Sequence, residues 1–465
     1  MDKKNIFIIT CDQMSWRAMK VFGNTFVNTP NIDRLTKDSV KFANNYTACP
    51  MCIPARAAYW TSKYPHETGA VANLEQLQHV DESIPTIGET FKNAGYETVH
   101  FGTCHDCGGL RGFDMHLTPI GDAEPIPNEY DAFPLSLDTF RDEFTANATV
   151  EYIKTLKERS KNDDRPLLLV SEFTNPHNIC GFVTFNAFEH DDKELPEGFE
   201  LPPLPENYSF DDIMNRPDAV KYFCCDLNLQ SWVSKWTDEN FRHYIAAYYY
   251  YISVLDNHIG RLLDAYEEYG DVENTMFVFF ADHGDSMAAR RKVTKSVDFY
   301  EETTRVPFVF KGKDVVPREK PIENITTTID LFPTLCAMAD IEIPKTLQGK
   351  DLSSILKGGE FNLERKYVIS QWSSMFGNII SPARMLCTGD YKYTYYLEDD
   401  FEELYDLKLD PYEKTNVAKH ENYKEILSQM QIYFKEYLEK SNDPLMSLEV
   451  KVDREKWRSH SKRVD

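Results

Sequence analysis

The chain has no apolar run approaching the roughly 18 residues that a membrane-spanning helix needs, and nothing in it suggests a membrane partner. It lacks a surplus of positive charge: 51 Lys and Arg stand against 75 Asp and Glu, a formal net charge of −24. That sign argues against a nucleic-acid partner and favours solubility. It also means that an anionic substrate must be drawn in by a few local cations against the field of the whole molecule. The opening stretch, MDKKNIFIITCDQ, lacks the roughly 7–15-residue apolar core of a secretory signal; it reads as a first β-strand, and the expected location is cytoplasmic. No internal repeat or low-complexity tract is present, which excludes solenoid and fibrous architectures.

Ten cysteines without an export signal point to reduced thiols. Two C-x-x-C pairs occur, Cys49 with Cys52 and Cys104 with Cys107. A zinc ribbon spaces its pairs about 15–20 residues apart, and these lie much further from one another. Three readings of CPMCIPAR compete: a metal knuckle, a redox pair, or a cysteine that is itself the reacting group. What the chain does have is ordinary for a globular protein: 465 residues, 42% hydrophobic and 27% charged. That length allows a large core and either two domains or one large domain with an appendage.

Helix-like and apolar segments alternate. NIFIIT leads to CDQMSW, YETVHFGT follows IPTIGETFKNAG, PLLLVSEF follows ATVEYIKTLKERS, and TMFVFFADHGD follows a long amphipathic stretch ending in LLDAYEEYG. Strands that are apolar on both faces, each preceded by a helix, predict a large, mainly parallel sheet sandwiched by helices, an α/β fold. Residues 189–218, rich in proline and acid, read as an irregular surface excursion or a cleft wall. From KYVISQW onwards the pattern becomes one of short antiparallel strands, closed by the amphipathic YKEILSQMQIYFKEYLEK. The predicted division is a catalytic α/β domain over 1–365 and a C-terminal subdomain, small antiparallel sheet plus terminal helix, over 366–465.

In parallel sheets function gathers at the carboxyl ends of the strands. Here those ends read Asp12-Gln13, Thr103-Cys104-His105, Asn175-Pro176-His177 and Asp282-His283. Carboxylates on adjacent strand ends can converge on one hard divalent cation. Histidine is an unusual ligand for calcium, so His283 points either to the substrate or to a transition metal.

Residues 52–69, CIPARAAYWTSKYPHETG, match C-x-P-[SA]-R-x-x-x-x-T-[GS]-[KR]-Y-P-x-x-x-G. This resembles the signature of the type I sulfatases of the alkaline-phosphatase superfamily. FYEETTRVPF, IDLFPTLC, LQGKDL and GDYKYTYYLEDDFEELYDLKLDP resemble further landmarks of that family, in order. The resemblance implies a sulfuric ester hydrolase acting on a carbohydrate or aryl sulfate. It implies that a maturation enzyme converts Cys52 to formylglycine (3-oxoalanine). A hydrated aldehyde carries two hydroxyls on one carbon: one can attack sulfur, and loss of a proton from the other can expel sulfate. Serine or cysteine offers no second hydroxyl.

By the same resemblance, Asp12, Gln13, Asp282 and His283 hold a divalent cation, calcium first and Mn2+ or Mg2+ next, with modified Cys52 as a further ligand. Arg56 sits beside the nucleophile, His105 takes a proton from its second hydroxyl, His177 faces the leaving-group oxygen, and Lys295 binds sulfate, with Lys292 as the fallback. Three features depart from the pattern: the usual lysine is Thr103, the first metal pair is Asp-Gln, and Lys295 is one residue further from FYEE. With Asn73, a substrate contact like Thr103, the Asp-Gln pair and Thr103 resemble the phosphonate monoester and phosphodiester hydrolases of the same superfamily, the alternative enzyme. A catalytically dead sulfoglycan-binding protein is a second alternative. A phosphatase or phosphomutase with a plain nucleophile would need Ser or Thr at position 52.

Overall fold

The computed structural model describes residues 4–448 apart from 74–77, 119–136, 160–162, 187–199, 209–215, 218–232, 234, 296–297, 362, 374–380 and 398–400. Most of the expected excursion over 189–218 therefore lies outside the described residues. The large sheet is built from β1 (Asn5–Asp12), β2 (Ser39–Lys41), β4 (Glu97–Gly102), β5 (Met115–Leu117), β6 (Leu167–Pro176), β7 (Thr275–Ala281) and β8 (Phe308–Gly312). Their order is β2-β8-β7-β1-β6-β4-β5, and a separate short pair joins β3 (Asn45–Tyr46) to β9 (Thr326–Thr327). In the large sheet β8 is antiparallel to both its neighbours, β2 and β7; the pairings among β7, β1, β6, β4 and β5 are all parallel. The first strand begins where NIFIIT predicts it.

Alternation along the strands explains the layers. Phe7, Ile9, Leu167, Leu169, Phe173 and Phe279 face one core, shared with the long helix Asp238–Tyr269. Ile6, Ile8, Leu168, Val170, Val278 and Phe280 face the other. Among the described residues, six α-helices precede the long one: α1 (Pro30–Thr36), α2 (Cys52–Thr61), α3 (Pro65–Thr68), α4 (Ile87–Asn93), α5 (Leu137–Arg159) and α6 (Asn178–Phe185). α5 packs with the long helix, while α2 and α4 meet the second core through Tyr59, Trp60, Ile87 and Phe91. Each fully buried Leu, Ile or Phe contributes about 1.5–3 kcal/mol over its exposed state, so these two cores fix the sheet and with it the strand ends.

All ten residues of α2 are buried. A helix apolar nearly all round belongs in a core, Pro54 is tolerated because it sits in the first turn, and Ser62 ends the helix at φ 52°. The C-terminal sheet is antiparallel, ordered β10 (Val368–Trp372), β11 (Ala383–Cys387), β12 (Tyr391–Tyr396) and β13 (Phe401–Asp406). One face packs on the terminal helix Lys424–Ser441 through Phe434 and Tyr437. The other packs on Tyr46, Cys49, Met51, Phe299 and Tyr300, which places it beside the segment leading into α2. The short strands expected after KYVISQW and the closing helix are therefore where the sequence places them.

Candidate active site

Two strand ends and one helix start meet at the carboxyl edge of the sheet. β1 delivers Asp12, the end of β7 delivers Asp282 and His283, and α2 delivers Cys52 as its first residue. All four are buried, and one donor atom from each lies within 4.8 Å of the others. The Cys52 sulfur is 3.3 Å from His283 Nε2 and 3.9 Å from Asp12 Oδ1. His283 Nε2 is 3.5 Å from Asp12 Oδ1 and 3.8 Å from Asp282 Oδ2. An ion with ligand bonds of about 2.3–2.6 Å spans donors up to about 5 Å apart, so the cluster is the right size for one cation.

Two further observations suit a cation. Asp282 Oδ2 is buried and accepts no hydrogen bond, whereas its Oδ1 takes the N–H groups of Gln13 (2.9 Å) and His283 (2.7 Å). His283 Nδ1 lies 3.0 Å from the Gly284 carbonyl, which only accepts, so that nitrogen donates and Nε2 is turned to the cluster. Such a carbonyl contact is the usual way a ligating histidine is oriented. Burial and the neighbouring Asp12 raise the Asp282 carboxyl above its ordinary range. Burial would raise Asp12 as well, but His177, Lys295, Arg56 and His283 together hold it well below. The Cys52 thiol, pushed up by burial and Asp12, is brought far down by Lys295, His283 and a hydrogen bond with His105.

Arg56 lies one turn along α2 and is 1% exposed. Its Nη2 donates to Asp12 Oδ2 at 3.0 Å, its Nε is 3.2 Å from Asp282 Oδ2, and its Nη1 donates to Glu172. Lys295 donates to Gln13 Oε1 at 2.9 Å, whereas Lys292 is paired with Asp298; of the two candidates, Lys295 is the one at the cluster. Gln13 has a left-handed backbone, φ 71°, and its side chain is fixed from both ends. Nε2 donates to Asp285 Oδ2 at 2.8 Å, while Oε1 accepts from Lys295 and from the Cys180 thiol at 3.6 Å. Asn73 Oδ1 accepts the Ile53 N–H at 3.0 Å, at the start of α2. Thr103 shares a 2.8 Å hydrogen bond with Thr174. His105 and His177 are half-buried beside the cluster. Every residue singled out from the sequence therefore lies at this one edge of the sheet.

Several residues at the site were not singled out. Glu172 follows the Leu168–Val170 row on the α2 face of β6 and is 1% exposed. Besides Arg56 it accepts from Tyr59 Oη at 2.8 Å and pairs with His100 Nε2 at 2.9 Å. Its signal was a lone charge inside the apolar strand PLLLVSEF. Asp285, held by Tyr244 Oη at 2.6 Å, and Cys180, three residues after His177, carried no comparable signal. Cys49, Cys104 and Cys107 are free thiols in the structure, as is Cys52.

A family model described as Sulfatase matches residues 4–341, and one described as N-sulphoglucosamine sulphohydrolase, C-terminal, matches residues 295–440. A Delta 4,5-hexuronate-2-O-sulfatase of Bacteroides thetaiotaomicron is 38% identical over 97% of this chain and 92% of its own. A choline-sulfatase of Rhizobium meliloti is 28% identical over 90% of this chain and 83% of its own. Among solved structures, one described as a 2-O GAG sulfatase superposes with a TM-score of 0.91 at 38% identity, covering 98% of this chain and 96% of that one. A phosphonate monoester hydrolase of Agrobacterium radiobacter reaches a TM-score of 0.75 at 20% identity, over 96% of this chain and 97% of that one, a likeness of fold alone.

Proposed function

The chain belongs to the sulfatase family and is a sulfuric ester hydrolase, and from that premise we propose that it removes a 2-O-sulfate from a Δ4,5-unsaturated hexuronate released from a sulfated glycosaminoglycan. The observation that carries this reading is the 38% identity, sustained over 97% of the chain, to a relative named for that substrate.

Members of the family use a divalent metal and a formylglycine. In this chain Asp12, Asp282, His283 and position 52 are the proposed ligands, with Gln13 Oε1, which now accepts from Lys295 and from the Cys180 thiol, as a further oxygen that would have to exchange the weak thiol contact for the cation. Calcium suits the carboxylate-rich set; Mn2+ and Mg2+ are the alternatives. When bound, the cation supplies positive charge that acidifies the nucleophile and neutralises the two carboxylates. A maturation enzyme is the proposed partner that converts Cys52 to formylglycine.

The chain's own groups then divide the work. Lys295 and the Asn73 amide, whose oxygen is committed to Ile53, offer N–H donors to the sulfuryl oxygens, and Thr103 offers a hydroxyl. Arg56 balances the carboxylates behind the nucleophile. His105, which contacts the residue-52 side chain, is placed to take a proton from it. His177 is assigned to give a proton to the leaving oxygen, so that the sugar departs as a neutral alcohol.

The test is sulfate release from a panel: 2-O-sulfated unsaturated uronyl disaccharides, 6-O-sulfated hexosamines and an aryl sulfate. Peptide mass spectrometry of the same sample reports whether residue 52 carries the aldehyde. The expected result is kcat/KM at least about 10²-fold higher for the 2-O-sulfated uronate, a gap typical of a lost set of fitted contacts. Equal rates on the hexosamine sulfates would overturn the substrate assignment.

A further inference from the structure

We propose that Glu172 is a positioning residue that locks Arg56 and sets the charge of the site so that singly charged esters are favoured over doubly charged ones. The inference rests on the assignment of Asp12, Asp282 and Arg56 to the active site.

Arg56 meets three carboxylates, one on each edge of its guanidinium: Asp12 from β1, Asp282 after β7 and Glu172 from β6. Two of these are proposed metal ligands; the third is not within the cluster at all. Glu172 itself is clamped by Tyr59 from α2 and His100 from β4. The guanidinium is therefore held from the side away from the cation, by a strand and not by a loop. Leu168 and Val170 precede Glu172 on the same buried face, and a third apolar side chain would pack there without the cost of burying a charge. A carboxylate kept at such a place acts through its charge and its grip on Arg56.

The charges explain what it does. Asp12, Asp282 and Glu172 carry three negative charges, and Arg56 and Lys295 carry two positive ones. With neutral histidines, and before the residue-52 nucleophile gives up its proton, the surplus is one negative charge, which a divalent cation would turn into one positive charge. That balances a sulfate monoester and leaves a phosphate monoester, with its second pKa about 6, one charge over. Without Glu172 the site would suit the dianion. Position 103, a threonine hydrogen-bonded to Thr174, adds no compensating cation.

The experiment compares an aryl sulfate and an aryl phosphate with one leaving group, on wild type, Glu172→Gln and Glu172→Asp, together with calorimetric titration of calcium into the metal-free proteins. Glu172→Gln keeps the shape and loses the charge. It should move the kcat/KM ratio at least about 10-fold toward the phosphate and weaken calcium binding about 10-fold less than loss of a direct carboxylate ligand does. Glu172→Asp keeps the charge but shortens the reach. It should lower kcat on both esters with the ratio within about 3-fold of wild type. A folded Glu172→Gln with an unchanged ratio overturns the proposal, because a merely structural residue would depress both esters alike. If that variant does not fold, Glu172→Asp decides: a ratio shifted about 10-fold toward the phosphate in a variant that keeps the charge overturns the proposal. A wild type that releases sulfate from no ester is a different failure, that of the site assignment itself.

Discussion

Asp282 shows the opposing demands that meet at single residues here. One of its oxygens is saturated by two backbone N–H groups, and the other is buried with no hydrogen bond, the Arg56 guanidinium lying 3.2 Å away as an ion pair. An unsatisfied buried carboxylate oxygen costs on the order of 1–3 kcal/mol or more, which a bound cation recovers. Adding calcium to metal-free protein should therefore raise its unfolding free energy by about 2.7 kcal/mol at a hundredfold excess over Kd. Asp282→Asn should lose most of that gain and the turnover with it; thermal unfolding with and without calcium reads both, and an undiminished calcium effect in the variant would remove Asp282 from the ligand set. At this scale the sequence was most legible where spacing is rigid. C-x-P-x-R places position 52 and Arg56 one helical turn apart, and Asp-His after an apolar strand can only sit at a strand end. It was least legible for Glu172 and Asp285, because what matters there is the partner across the fold, and no local pattern names a partner.

Elements were legible for a related reason: period and apolarity are local. The opening strand, the three helix-then-strand units after it, the buried parallel strands and the antiparallel close all follow from alternation and run length. Polar residues set into those elements tell a further story. His258, on the long helix Asp238–Tyr269, is 6% exposed and stacked on Phe173 of β6, centroids 5.9 Å apart. Burial lowers its pKa from 6.5 to about 4, against the pull of Glu143. The folded form thus prefers the neutral ring, while the unfolded chain takes up a proton below about pH 6.5. Its contribution to stability is complete above pH 6.5 and is lost as the pH falls toward 4. In urea unfolding measured across that window, His258→Gln should flatten the decline relative to wild type by a kcal/mol or more; curves of the same slope would show that other groups carry it.

At the scale of the whole molecule the −24 formal charge opposes the substrate proposed for the site. A 2-O-sulfated uronate brings both a sulfate and a carboxylate, so it approaches as a dianion through a repulsive field. Once bound, it meets Lys295 and the other cations at contact distance inside a buried site. These two effects respond differently to salt. The Debye length is about 30 Å at 0.01 M and about 8 Å at 0.15 M, so moderate salt removes long-range repulsion while leaving contacts of about 3 Å in a low-dielectric site nearly intact. Raising ionic strength over that range should therefore increase kcat/KM for the sulfated uronate by a few-fold, through faster association. The gain should be smaller for a singly charged aryl sulfate, since repulsion scales with substrate charge. Stopped-flow or initial-rate measurements at several sodium chloride concentrations check both slopes. A kcat/KM that falls with salt for both substrates would mean that a local positive funnel, and not the global charge, governs the approach.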